Sequence, residues 1–495
     1  MKIQPIAAQA TSMSSITRAN LYFLCLLFAI FVFQCATLRT GHMWGDDFAM
    51  YIHHAKNIVE HQPYAETGYI YNPRVPAYGP RTYPPVFPLM LAPLYGRFGA
   101  NVMPMKLEQI TFFVLTLLIV FALWRRDLGT EYSLALVAIL GLSPVFVSFK
   151  ENVLSDLPFL FFFYLAALIV DSIPAHGKWW PWSLSIGVTL YLAMGTRSAG
   201  IALPLGLVLY DLARCRKIRF VTGVALAVCG ALALLQRWIT GFVAGSYLEQ
   251  GGFVSWHSLS RNAWEYSRAL AGFWVGSVHG LFSFLVLLPV LTLTLMGLNF
   301  RRNRQLTIVE AFLLPYAAVI LLWPFSGGSR LAFPFLPWMV FLASAGFRRL
   351  SATWLPQHTL FAICTFLLAL AIPNVEAYRR MDFSPIQENT GLPEFSQLCN
   401  ALRNQTRPED IFIYYRPRAL ALYTDRSAAT YNYLGTDQEL WQWLQQIHAS
   451  YLITTTAFDT DGGFLRRFAS KYSANLDVKY RNSKFSLYRI QSIPE

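Results

Sequence analysis

Charged side chains are scarce in this chain. They make up 14% of its 495 residues, against about 25% in an average soluble protein. That shortage excludes a disordered chain, which stays solvated through its charge, and it excludes an ordinary cytosolic enzyme. Cysteine is scarce as well. Six residues cannot form the framework of a disulfide-stapled protein of this length. Cys25, Cys35, Cys229 and Cys364 lie inside apolar runs, where a small thiol serves as a packing residue. The chain has neither an internal repeat nor a low-complexity tract. Acidic residues are the rarer charge, 27 against 40 basic ones, which leaves a net charge of +13. In a soluble protein that excess would suggest nucleic acid. Here the basic residues stand in short clusters between apolar runs, the pattern by which a membrane protein sets its orientation. Membrane lipids, not nucleic acid, are the implied partners.

What the chain does have is hydrophobic length. Apolar residues reach 55%, with 38 phenylalanines. A helix that spans the hydrocarbon core needs roughly 20 mostly apolar residues at 1.5 Å each. About eleven such runs can be read, beginning near Leu21, Ile110, Tyr132, Leu157, Trp182, Ala199, Phe220, Leu281, Ile308, Leu331 and Leu360. The fifth and sixth are short, and they flank Thr196-Arg197-Ser198 as a tight re-entrant pair. With the N-terminus in the cytosol, Arg125-Arg126, Lys178, the Arg214–Arg219 cluster, the Arg301–Arg304 cluster and Arg348-Arg349 all fall on one side. The first apolar run is long for a signal peptide and no small-x-small site follows it cleanly, so an uncleaved anchor is expected.

The expected fold class is therefore a polytopic α-helical membrane protein of about eleven transmembrane helices, with a C-terminal soluble α/β domain. Residues 1–372 form the transmembrane part, including a long outer loop over 39–105, and residues 373–495 an extracytoplasmic domain. In the outer loop a helical stretch runs from Phe48 to His61 along the membrane surface. Residues 241–279, rich in glycine and aromatics, are a further outer segment with room for a surface helix. In the C-terminal part, Thr436-Asp437-Gln438-Glu439 is a capping box before a helix that ends near His448. Strands are expected at Asp410–Tyr415, Tyr451–Thr456 and Phe485–Ile490, the last in a hairpin with Asp477–Tyr480.

Chemistry concentrates at the outer ends of the spans. Asp46-Asp47 follows the first span by a few residues, and two carboxylates beside hydrocarbon are costly unless water, cations or function hold them there. At headgroup depth such a carboxylate can reach the phosphate end of a lipid and act as general base on an incoming hydroxyl or amine. The competing reading is plain helix capping. Lys150-Glu151-Asn152-Val153-Leu154-Ser155-Asp156, at the next outer turn, brings two more carboxylates to the same side, again with a capping alternative at Ser155 and Asp156. Transfer from a lipid phosphate also needs cations, because the leaving phosphate gains negative charge. Arg74, Arg81, Lys150, Arg197 and Arg330 are the outer candidates, and a guanidinium suits bidentate phosphate contact. Snorkelling to the headgroups is the competing role of these arginines. His42, His53, His54 and His61 surround the acidic pair, but their spacing is no tight metal pattern. No cofactor is required by these residues, and a divalent metal is the one left open.

Taken in order, Gly45-Asp46-Asp47 with Tyr51 and Ala55, Thr82-Tyr83-Pro84-Pro85 with Pro88, Asn152-Val153-Leu154-Ser155-Asp156-Leu157-Pro158, Gly195-Thr196-Arg197-Ser198-Ala199-Gly200 and Ser329-Arg330-Leu331 with Pro334 and Pro337 resemble the GT-C glycosyltransferases. The resemblance is to the branch of the bacterial protein O-mannosyltransferases and the aminoarabinose transferase of lipid A, and it covers roughly residues 21–347. It implies many transmembrane helices with surface helices in the first outer loop. It implies inverting transfer of one sugar from a polyprenyl-phosphate donor on the outer side of the membrane, to a glycolipid, glycan or protein acceptor. By the same resemblance Asp46 is the catalytic base with Asp47 beside it, Asp156 is the second acid of the site, and Arg330 lies near the donor phosphate. One departure stands out: aminoarabinose transferases carry a Lys before the Pro-Pro pair, where this chain has Tyr83, with Arg81 as a substitute cation. Lys150, Arg197, Glu151, His53 and His54 complete the candidate set, in a protein of the bacterial inner membrane. The alternatives are an oligosaccharide transferase or polymerase with a diphosphate-linked donor, and a non-enzymatic transporter, against which stand nearly charge-free spans without repeat symmetry.

Overall fold

The computed structural model describes residues 6–43, 45–174, 176–240, 255–276, 281–301, 305–325, 327–354, 356–386, 390–458 and 461–491. Trp44, residues 241–254 and most of the basic cluster at 301–304 lie outside the described residues. Each of the eleven apolar runs is a helix: Ile6–Ala36, Val102–Leu128, Thr130–Gly141, Asp156–Asp171, Trp180–Thr196, Ala202–Cys215, Phe220–Thr240, Leu281–Arg301, Ile308–Leu321, Phe335–Trp354 and Thr359–Arg380. Among the described residues, five helices are long and apolar enough to cross a bilayer, among them the first, Val102–Leu128 and Thr359–Arg380. The protein is an integral membrane protein.

Local chemistry sets the helix ends. Asn101 caps Val102–Leu128, accepting from the Met103 amide at 3.0 Å, and Gly129 at φ 82° stops it. Thr307 and Glu310 form a capping box at the start of Ile308–Leu321. Helix Trp180–Thr196 ends at Arg197 in extended geometry, and a single 3₁₀ turn, Ser198–Ile201, leads into Ala202–Cys215. Gly200 makes that turn possible, because a Cβ there would stand 2.7 Å from the Ala193 carbonyl. The last apolar helix continues through Pro373 to Arg380, so the expected boundary at residue 373 falls inside a helix. A Glu376–Arg380 pair, four residues apart, supports that extension.

Asp47–Val59 is the helix expected at Phe48–His61, and Trp256–Val275, within segment 241–279, packs Tyr266, Phe273 and Trp274 into the core of the helical bundle. The C-terminal part is a sheet with flanking helices. Its strands are β1 (Tyr69–Ile70), β2 (Ile411–Ile413), β3 (Ser427–Ala429), β4 (Tyr451–Thr455), β5 (Leu476–Arg481) and β6 (Phe485–Ile490), in the order β1-β3-β2-β4-β6-β5. β1, β3, β2 and β4 run parallel, and β6 and β5 close the sheet as the antiparallel hairpin. The edge strand β1 belongs to the first outer loop: Tyr69 pairs with Ala428 and Ile70 with Ala429. Gly68 prepares this pairing. Its carbonyl accepts from the Ala428 amide at 2.9 Å, and its φ of 66° needs glycine. The sheet therefore holds the outer loop against the C-terminal part. The core of this junction combines Phe48, Ile52, Phe87 and Leu91 of the loop with Ala419 and Leu422 of helix Pro417–Thr424.

Within the bundle, helices Leu281–Arg301 and Phe335–Trp354 meet at glycines. A Cβ at Gly346 would lie 1.9 Å from the Leu293 carbonyl oxygen, and one at Gly297 would lie 2.1 Å from that of Leu342. Close backbone approach of this kind is what small residues supply where lipid offers no hydrophobic drive. Gly346→Leu is expected to destabilise the protein by about 1–3 kcal/mol through overpacking, read as a lowered midpoint of thermal unfolding in detergent.

Candidate active site

Four parts of the chain meet at Asp47. It lies in the first turn of helix Asp47–Val59. Its Oδ2 accepts from Arg330 Nη2 at 2.7 Å. Its Oδ1 accepts from the Tyr83 hydroxyl at 2.7 Å and from Arg418 Nη1 at 3.2 Å. Arg330 stands in the 3₁₀ turn Ser329–Ala332, after Gly328 at φ 70°, and its other Nη is 3.9 Å from Asp156 Oδ2. Asp156 opens its helix with a side chain only 3% exposed and pairs with Arg197 Nη1 at 2.5 Å. The result is a chain of alternating charge: Arg418, Asp47, Arg330, Asp156, Arg197. Tyr51, stacked on Tyr83 with ring centroids 4.7 Å apart, hydrogen-bonds Ser155 at 2.9 Å and closes the floor.

Neither acidic motif caps its own helix. Asp46 sits at the N-cap position of Asp47–Val59, yet its carboxylate makes no cap bond there. Ser155 likewise makes none at the start of Asp156–Asp171. Asp46 turns instead to the helix Pro417–Thr424, accepting from the Ala419 amide at 3.1 Å and the Arg418 amide at 3.3 Å. The two neighbouring carboxyls therefore differ in acidity. Burial pushes Asp46 up to about 6, against the opposing pull of Arg418 and Arg416 and of the two amides. Burial works against the Asp47 anion too, but Arg330 and Arg418 outweigh it and hold Asp47 well below the usual carboxylate range.

Two cavities open on either side of the Asp47–Arg330 pair. The first is lined by Arg197, Arg330 and Tyr83 together with the apolar Ile320, Trp323 and Phe325. The second is lined by His42, Asp46, Asn152, Arg330 and Arg416. Asp156 extends the site toward the opposite end of its helix. Fifteen residues on, Asp171 interacts with Arg126 and Arg214, so the basic clusters lie about 22 Å of helix away from the carboxylate.

Of the residues singled out in the sequence, Asp46, Asp47, Asp156, Arg197, Arg330 and Tyr83 come together here. Lys150 and Glu151 do not line either cavity. Lys150 bonds Thr37, while Glu151 takes Lys106 Nζ at 2.8 Å and the Arg39 amide at 3.1 Å. Their turn points one acid into the site and buries the other pair in a separate ionic cluster. Arg81 is exposed and lines neither cavity, and Arg74 bonds Glu439 and Gln442 of the C-terminal part. His54 is a structural residue: its Nδ1 bonds the Tyr64 carbonyl at 2.8 Å and its Nε2 meets the Tyr83 amide at 3.3 Å. His53 is buried in a different polar cleft with Lys56 and Asp425. Among the described residues, no group of three or more His, Cys, Asp and Glu side chains is placed to share a metal ion. Sequence reasoning missed Arg416 and Arg418, which lie more than 350 positions from Asp46 and Asp47 in an Arg-Pro-Arg run outside every motif singled out.

Arg197 makes a specific stability prediction. Removing it leaves the Asp156 carboxylate buried with its Oδ2 already lacking a hydrogen bond. Arg197→Ala is expected to cost about 3–5 kcal/mol, and the added change Asp156→Asn to recover much of that loss in thermal unfolding.

Residues 82–239 match the family model of dolichyl-phosphate-mannose-protein mannosyltransferases. No curated protein matches the chain in sequence. In structure the chain is similar to ArnT from Cupriavidus metallidurans bound to undecaprenyl phosphate, with TM-score 0.58, 12% identity, and 94% of this chain and 98% of that one covered. It is also similar to the Archaeoglobus fulgidus oligosaccharyltransferase in complex with Zn and sulfate, with TM-score 0.60 and 14% identity over 89% of this chain and 69% of that one. The arabinofuranosyltransferase AftD from Mycobacteria gives TM-score 0.53 and 12% identity, covering 95% of this chain and 40% of that longer one. With its apolar helices, the helix in loop 39–105 and its C-terminal sheet, the chain has the fold of the GT-C superfamily of membrane glycosyltransferases.

Proposed function

We propose that this protein is an inverting glycosyltransferase that moves a single sugar from a polyprenyl-phosphate donor to an acceptor hydroxyl on the outer face of the bacterial inner membrane, with its N-terminus in the cytosol. One observation carries the reading. Arg197 and Arg330 converge in a cavity that also carries the apolar side chains Ile320, Trp323 and Phe325, beside Asp47 and three tyrosines. That combination suits a phosphate on a hydrocarbon chain: guanidinium forks for the oxygens and apolar surface for the first prenyl units. Undecaprenyl phosphate and dolichol phosphate in structures of similar fold support it.

In this reading the donor phosphate lies against Arg330 and Arg197, and the acceptor enters from the second cavity. The acceptor oxygen attacks the anomeric carbon from the face opposite the phosphate, so the new glycosidic bond forms as the carbon–oxygen bond to phosphate breaks. Configuration inverts. The phosphate leaves with the electron pair, and the arginines stabilise its growing charge. The acceptor proton passes to Asp46, a residue that lines the second cavity and whose carboxyl, pushed up to about 6, is matched to proton abstraction near neutral pH. Asp47 stays an anion and orients Arg330.

Two variants test this in reconstituted bilayers. Arg330→Gln is expected to weaken undecaprenyl phosphate binding roughly 10- to 100-fold, the loss of one or two charge-assisted hydrogen bonds. Asp46→Asn is expected to bind the lipid normally while transfer from a labelled polyprenyl-phosphate sugar falls by about 100-fold or more. Unchanged turnover in Asp46→Asn removes that residue as the base, and a product that keeps the donor's anomeric configuration removes the inverting mechanism.

A further inference from the structure

Helix Pro417–Thr424 belongs to the C-terminal sheet region, yet its first turn is built into the candidate site. Its amides at Arg418 and Ala419 are the second and third of the helix and have no partner within it. No side chain of its own caps it. Asp46 supplies the acceptor, bonding both amides from 3.1 to 3.3 Å, where the helix dipole favours a negative charge. The same turn sends Arg418 into the gap between Asp46 and Asp47. The guanidinium is 1% exposed and ringed by Tyr69 at 4.6 Å and Tyr83 at 5.2 Å. Its Nη1 reaches Asp47 at 3.2 Å and Tyr83 Oη at 2.8 Å, and its Nη2 donates to the Pro80 carbonyl at 3.0 Å. Its Nε stands 3.9 Å from Asp46. Gly79 leaves the room: at φ 100°, a Cβ would stand 3.0 Å from Arg418 Nη2 and 3.1 Å from Tyr83 Oη. A side chain so fully surrounded is not a surface arginine. It is a part of the site delivered by a different region of the chain.

We propose that Arg418 is a positioning residue of the transfer site, and that docking of the C-terminal helix Pro417–Thr424 completes the site by fixing both carboxyls at once, Asp46 through the helix amides and Asp47 through the guanidinium. This inference rests on the reading of Asp46 as the base. It makes the C-terminal region a requirement of the reaction and not an appended module, and the shared edge strand β1 is the second tie that keeps it in place.

The charges around each carboxyl give the test its sign. Arg418 and Arg416 face Asp46, with Tyr69, Tyr78 and Tyr414 nearby. Arg330, Arg418, Tyr83 and Tyr51 face Asp47. Removing one cation makes the Asp46 anion less favourable, so the base holds its proton to higher pH. The experiment uses the full chain in bilayers with Arg418→Gln and Arg418→Lys. In Arg418→Gln the acid limb of the transfer profile is expected to move up by about one pH unit, a roughly fivefold loss near pH 6 that recovers above pH 8. Arg418→Lys keeps the charge and restores the profile. Undecaprenyl phosphate binding, which depends on Arg197 and Arg330, stays unchanged and shows that the protein is folded. A second readout needs no turnover: a hydrophobic carbodiimide attacks protonated carboxyls, and labelling of Asp46 at pH 7, mapped by mass spectrometry, rises several-fold in Arg418→Gln. A chain that transfers no sugar from any polyprenyl phosphate sinks the proposed function while the labelling still decides the role of Arg418. The inference is overturned if Arg418→Gln keeps both the wild-type profile and the wild-type labelling, or if it loses activity equally at all pH with no rescue by lysine.

Discussion

Arg330 is the constraint on which the site depends. Two carboxylates from distant helices, Asp47 and Asp156, approach each other beside hydrocarbon, where unpaired charge is expensive. A guanidinium between them, 2.7 Å from one and 3.9 Å from the other, makes the arrangement tolerable. Arg197 and Arg418 extend the alternation at either end. Each carboxylate lies between two arginines, so removing either cation leaves it with a single counter-charge. Because the cations line a cavity, the same alternation leaves guanidinium edges facing a space that is half apolar.

The division between two neighbouring aspartates follows from where they point. Asp47 faces two arginines and a tyrosine hydroxyl and remains charged. Asp46 faces a helix N-terminus with both oxygens engaged by amides, in a more desolvated place, and its acidity moves toward neutrality instead. Adjacent residues of one type thus acquire different chemistry from the elements packed against them. The partner elements come from the far end of the chain, so the C-terminal sheet region is as much part of the site as the helices. Its sheet takes an edge strand from the outer loop, its helix takes Asp46 as a cap, and its arginine fills a ring of loop tyrosines.

Not every buried charge at this end of the bundle belongs to the site. Lys106, Glu151, Lys150 and the Arg39 backbone form a second network, which ties the first loop to the start of the second span. Arg39 continues it to Asp382 and Ser384 beyond the last apolar helix. These contacts hold the helix ends together.

The sequence by itself determined the apolar helices, because apolar run length is a local property. It determined helix Asp47–Val59, the capping box at Thr436 and the terminal hairpin for the same reason: period and cap chemistry act over a few residues. It also marked Asp47, Asp156, Arg197 and Arg330 as charges at span ends. Only the tertiary structure decided which of those charges meet. Glu151 and Asp156 sit five positions apart in one turn, yet one joins Lys106 and the other Arg197, since a side chain's direction depends on the packing of its helix. Strands β1 and β3 are two and three residues long, too short for any periodicity to register, and exist only because the sheet pairs them. Arg418 belongs to none of the motifs that the sequence analysis singled out. Its burial is the product of helix docking, loop glycine and tyrosine rings brought together across the whole chain, and no local pattern encodes that.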